Sequence, residues 1–237
     1  MTATGPILLV DTATTRAVIA LGGADGTVID ERGWTAGYRH GEELLARVDA
    51  LLGDRGLAPA ELAAIAVGTG PGAFTGLRVG IATAKGLAHA LGLPIVGVAT
   101  GMALLDAAGR AAPDAAGLVL LQPAGPNDRV VVRRDGAARI LPVGTDPDLA
   151  EGERLVAVDL AGRADPDAVA LGEAAVAGLA TAMLARAAAR LGAGDTDDLA
   201  RLVPEYVTLP RGVRLAIHDE GVELTGSGAA WPPRTRT

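Results

Sequence analysis

The chain has 237 residues, 49% of them apolar and only 2% aromatic, and carries a formal charge of −7 with no cysteine. That supply of apolar residues supports one large or two small domains packed from small aliphatic groups, which favours α/β layers over an aromatic-rich sandwich. Disulfides and thiolate sites are excluded, and the acidic balance argues against a domain that grips nucleic acid by neutralising phosphates.

The opening residues MTATGPILLVDTATT have no basic stretch before their short apolar run, so they do not read as a secretory leader. Ile7–Val10 and Val18–Leu21 read as a strand hairpin, with Thr27–Trp34 as a third strand. Asp11 and Thr12 close the first strand. They are ordinary turn residues, and equally a carboxylate and hydroxyl able to hold a hydrated cation or accept from a loop.

Gly41–Leu52 reads as a helix: Leu44, Leu45, Val48, Leu51 and Leu52 recur at three and four, Glu42 and Glu43 occupy the first turn, and Glu43 can pair with Arg47. His40 precedes it, as a helix cap or a catalytic group. Leu62–Val67 is a strand candidate running into the stretch Gly68–Gly92, GTGPGAFTGLRVGIATAKGLAHALG, a glycine-rich loop that becomes a helix. Leu93–Val98 then completes a strand, crossover helix and strand of the kind a parallel pair requires.

On that helix Gly72, Gly76, Gly80, Ala84 and Ala88 recur at intervals of four and make a small-residue ridge where another helix could approach closely. Leu77, Ile81, Leu87 and Leu91 supply a core side. The glycines permit close packing, or let Gly70 and Gly72, with Asp11 and Thr12, cradle a phosphate. There is no GK[ST] ending, so a Walker loop is ruled out. A bulky residue such as Gly76→Leu is expected to weaken partner binding more than folding.

Beyond Gly101, Met102–Ala108 reads as a short helix and Leu118–Leu121 with Val130–Arg133 as a strand pair. Ile140–Val143, Leu155–Val158 and Val169–Leu171 read as short strands, and Glu173–Leu191 as an alanine-rich helix. The expected organisation is an N-terminal α/β lobe over residues 1–101, a second α/β lobe over 102–226 and a loose tail over 227–237. No uninterrupted apolar run is long enough to span a bilayer as a helix.

The run from Gly70 to Ala88, with GPGAFTGLRVG at its head, resembles the signature of the bacterial TsaB (YeaZ) family of threonylcarbamoyladenosine biosynthesis proteins. Leu9–Thr14, Arg39–Leu45 and Pro204–Val207 extend the match, which covers the first hundred residues strongly. The resemblance implies a two-lobed actin-like α/β fold of the sugar-kinase and heat-shock-protein type. It implies a non-catalytic, cytoplasmic partner of the transferase TsaD, working in tRNA modification with the ATPase TsaE, where ATP is used by the complex and tRNA is contacted mainly through TsaD. In the family, the two helices over Gly41–Leu52 and Thr75–Leu91 form a four-helix bundle with their counterparts. Candidate interface residues are therefore Leu44, Leu45, Val48, Gly72, Gly76, Gly80 and Ala84, and the same face suits a homodimer. Asp11, Thr12, Gly70 and Gly72 are the candidate residues of a vestigial phosphate loop, the alternative to a purely packing role.

Two departures stand out: Gln122-Pro123 replaces the family's acidic and basic residues after the first strand of the second half, and Thr208 replaces an arginine. His40, His89 and His218 are not spaced as the sibling's metal ligands, so no metal site is expected. The competing reading is a stand-alone actin-like nucleotide hydrolase or kinase using Asp11 and Thr12.

Overall fold

The computed structural model describes residues 5–35, 40–124, 128–142, 144–205, 207, 213–218 and 221–226; for 40–42 and the two segments after 212 only the backbone is described. Arg39, Tyr206, Thr208 and the 227–237 tail lie outside the described residues, as does the side chain of His40. Residues 1–207 form one compact unit and 208–237 a second. In the second, β10 (Val213–His218) and β11 (Gly221–Gly226) pair as an antiparallel hairpin.

In the first unit β1 (Ile7–Asp11), β2 (Arg16–Gly22) and β3 (Val28–Thr35) form an antiparallel meander, and β4 (Ala64–Gly70) and β5 (Ile95–Ala99) add in parallel beyond β1, giving the order β3-β2-β1-β4-β5. The second sheet repeats the scheme. Its meander is β6 (Gly117–Pro123), β7 (Arg129–Val132) and β8 (Ala138–Leu141), and β9 (Glu153–Ala157) joins parallel to β6, giving β8-β7-β6-β9.

α1 (His40–Asp54) and α2 (Phe74–Leu91) cover the outer face of the first sheet, packing Leu44, Val48, Leu51, Ile81 and Ala84 on Leu8, Val10, Ile19, Ile65 and Val67. The other face of that sheet, the inner face of the second sheet, and α3 (Thr100–Ala111), α4 (Pro166–Ala177) and α5 (Leu179–Gly192) share one continuous core. β1 is therefore buried on both faces, and this is why it reads as an unbroken apolar run rather than an alternating one.

Two expectations fail in the second half. Val169–Leu171 lies inside α4, because Asp165 caps that helix by accepting from the Asp167 and Ala168 amides and Pro166 presets its first turn. The single helix expected over Glu173–Leu191 is two, bent by 52° at Gly178, where a β-carbon would stand 3.1 Å from the Ala107 methyl of α3. Together α4 and α5 match a membrane span in length and composition, yet Leu171, Ala175, Leu179, Met183 and Leu184 are core residues; no single helix among the described residues is long and apolar enough to cross a membrane.

Residues 195–205 then run back across the first sheet. Asp197 bridges to β5, its amide donating to the Ile95 carbonyl and its carboxylate accepting from the Gly97 amide at 2.7 Å. Arg190 of α5 pins the segment by donating to Asp195, Asp197 and the Gly97 carbonyl. Farther on, the Leu202 carbonyl accepts from Lys85 Nζ of α2, and Glu205 pairs with Thr69 through both backbone and side chain.

Candidate functional site

The turn between β1 and β2 and the glycine loop after β4 meet at the C-terminal edge of the first sheet. Asp11 is fully buried there: one carboxylate oxygen accepts from Thr100 Oγ1 at 2.6 Å and the other from the Ala13 amide at 3.0 Å. Burial pushes its carboxyl above the usual carboxylate range, and the bonds from Thr100 and Ala13 oppose that shift without cancelling it. A β-carbon at Gly68 would stand 1.8 Å from the same carboxylate, so β4 can pass Asp11 only as glycine.

Two of the loop amides are spent inside the chain. Gly70 N–H donates to Thr100 Oγ1 and Ala73 N–H to the Ala13 carbonyl, while Thr12 Oγ1 donates to the Gly76 carbonyl at 2.7 Å. The structure places the Asp11-Thr12 turn beside the Gly70–Gly72 loop. Asp11 and Gly70 meet through a shared partner, Thr100 Oγ1, while Thr12 is bonded to Gly76 and Gly72 lies against the Ala13 carbonyl, so the loop packs on the turn. Among the described residues no three His, Asp or Glu side chains gather as metal ligands would.

The small-residue ridge faces the same turn. Added β-carbons at Gly72, Gly76 and Gly80 would stand 2.2 Å from the Ala13 carbonyl, 2.1 Å from the Thr12 carbonyl and 2.2 Å from Thr12 Oγ1. Ala84 and Ala88 continue the inward face, beside Leu77 and Ile81. The ridge thus admits this chain's own β1–β2 turn, and the expected order of effects for Gly76→Leu reverses: folding suffers first. Leu44 and Val48 are core residues too, at 1% and 4% exposure.

Leu45 is the candidate that looks outward, 53% exposed at the middle of α1. Two residues on, Arg47 is held by Glu43 at 2.9 Å and lies over the Trp34 ring, 4.6 Å from its centroid. The outer face of α2 presents Thr75, Arg78, Ala82 and Gly86, with Val79 half-buried and the Arg78 guanidinium 3.8 Å over the Phe74 ring. No atom lies within 4 Å of a β-carbon built at Gly86. Sequence reasoning missed Thr100 and Asp159, whose partners lie 89 and 144 residues away with no local pattern to announce them, and it held Glu205 only within the Pro204–Val207 match, not as the partner of Thr69.

Two meander-plus-crossover sheets around shared helices, with a buried aspartate at the end of the first strand, define an actin-like α/β protein. The structure of YeaZ from Pseudomonas aeruginosa superposes with a TM-score of 0.63 at 25% identity, over 85% of this chain and 99% of that one. The family model TsaD: tRNA N6-adenosine threonylcarbamoyltransferase matches residues 35–218, and the chain belongs to that family as a TsaB (YeaZ) member. Over 104 residues it is 39% identical to the tRNA threonylcarbamoyladenosine biosynthesis protein TsaB of Escherichia coli, 44% of each chain. Over 106 residues it is 45% identical to an uncharacterized protein of Mycobacterium leprae, 44% of this chain and 28% of the other. The chain thus spans less than half the length of these curated relatives.

Proposed function

We propose that this chain is a non-catalytic partner subunit in the formation of threonylcarbamoyladenosine in tRNA, docking through the outer faces of α1 and α2 onto a TsaD-type transferase. The transferase holds the tRNA and performs the transfer, a TsaE-type ATPase completes the assembly, and ATP is consumed by the complex in the cytoplasm. Without its partner the same face pairs two copies of this chain. The boundary between the lobes falls near Gly101, at the start of α3.

One observation carries the reading: the Asp11 turn is plugged by its own glycine loop, while the helices outside it expose Leu45 and leave the surface over Gly86 open. The turn that an actin-like enzyme would give to phosphate is used for packing. Leu45 is about half exposed, so burying the rest of it contributes about 0.8–1.6 kcal/mol, about four- to fifteenfold in affinity. The net acidity fits a subunit that leaves tRNA to its partner.

The test is co-purification and calorimetric titration of the chain with the TsaD-type protein of the same host. Leu45→Glu is expected to lower affinity at least tenfold while leaving the melting temperature within a degree or two, because exposed substitutions seldom change stability by more than about 0.5 kcal/mol. Undiminished binding by Leu45→Glu, or transfer to tRNA by this chain alone, would defeat the proposal.

A further inference from the structure

The loop after β9 holds Asp159 at φ 58°, the one non-glycine residue with positive φ among the described residues. Such a backbone carries a steric penalty in an L residue and persists where other contacts fix it. The fixing contact is long-range: the Asp159 carboxylate accepts from both the amide of Thr15, at 2.8 Å, and its hydroxyl.

Thr15 belongs to the β1–β2 turn, which is itself tightly closed, Thr14 Oγ1 donating to the Arg16 carbonyl at 2.7 Å. The other side of that turn carries the start of α2. Thr12 Oγ1 donates to the Gly76 carbonyl, Ala73 N–H donates to the Ala13 carbonyl, and Leu77 N–H makes an early helical bond to Ala73. The turn therefore has a loop of the second sheet on one side and the proposed docking helix on the other. Beside the clasp, Arg16, Asp159 and Leu160 line a cavity of about 420 Å³ against α4, which leaves the loop room to withdraw.

We infer that Asp159 is a positioning residue for α2: by holding Thr15 it fixes the β1–β2 turn, and through the turn it sets where the first turn of the helix stands. The relay rests on the docking reading only for its consequence, that a subunit with the clasp formed presents α2 ready for its partner. No ligand is required for it.

The experiment is residue-resolved amide hydrogen exchange on the full chain, native and with Asp159→Gly and Asp159→Asn. Glycine tolerates the positive φ and so preserves the loop while deleting the carboxylate; asparagine tolerates it too and keeps an acceptor for the Thr15 amide. Asp159→Gly should speed exchange about tenfold at Thr15 and at least threefold at Ala73 and Leu77, with β6 and α5 unchanged, and Asp159→Asn should restore most of the protection. Faster exchange confined to Thr15, no change at all, or equal acceleration through β6 and α5 would each overturn the inference. Affinity for the TsaD-type partner is measured on the same variants. If the exchange pattern appears and affinity does not fall, the docking reading fails while the relay stands.

Discussion

Gly76→Ala separates internal packing from partner docking. A methyl there would stand 2.1 Å from the Thr12 carbonyl oxygen, so α2 or the β1–β2 turn must move by about an ångström, and overpacking of this kind costs about 1–3 kcal/mol. The same movement strains the bond from Thr12 Oγ1 to the Gly76 carbonyl, worth about 1 kcal/mol. Against this, alanine gains about 1 kcal/mol over glycine within a helix. The net expectation is a loss of roughly 1–3 kcal/mol, obtained by setting the packing and hydrogen-bond costs against the propensity gain. Gly86→Ala, ten residues on in the same helix, meets nothing within 4 Å and should gain up to about 1 kcal/mol. At this chain length each kcal/mol moves the melting temperature by about 2–4 °C, so the two variants should melt roughly 2–16 °C apart. Differential scanning calorimetry of both reads this directly. If Gly76→Ala melts at or above Gly86→Ala, the ridge is not packed on Thr12, and the assignment of α2's inner face is wrong.

Two predictions concern pH. Because burial raises the folded-state pKa of Asp11, its contribution is most favourable below the unfolded value of about 3.9 and is lost as pH rises through the folded value. Asp11→Asn should therefore be at least as stable as the native chain near neutral pH and show a flatter stability profile above about pH 4, measured by urea unfolding; a marked loss of stability would refute this. Asp106 shows the opposite sign: burial pushes its carboxyl up, but hydrogen bonds from Arg186 at 2.6 Å and Arg134 at 2.8 Å outweigh it and hold it below the ordinary range. That contribution is present above about pH 4 and disappears as pH falls through the depressed value, so Asp106→Asn should shrink the acid-side slope of stability. An unaltered slope would show the pairing to be worth nothing in solution.

Much of the first half is legible because its pattern is local. The leucines of α1, the all-buried runs of β1 and β4, and the loop-to-helix switch before Phe74 each follow from neighbours within a few residues. What sequence could not decide was the direction in which the ridge faces. Spacing of four shows that Gly72, Gly76 and Gly80 share a side of α2, but only the fold shows that Thr12 and Ala13 fill it. In the second half the same locality misled: Val169–Leu171 has the composition of a strand, and the cap at Asp165 and the proline after it win. The alanine-rich run hides its break because Gly178 bends for a reason lodged in α3, some seventy residues earlier. The β10–β11 hairpin does carry a local signal, since Val213, Leu215 and Ile217 alternate as a strand should.

The return of residues 195–205 along β5 has a consequence for how the molecule behaves in a crowded solution. An uncovered outer strand offers its amides and carbonyls to any passing copy. Here the Ile95 carbonyl and both polar groups of Gly97 are already satisfied by Asp197 and Arg190. A proteolytic nick in the glycine-containing stretch between Leu191 and Asp195 would let that cover peel away, turning the subunit into a template for strand-to-strand polymerisation.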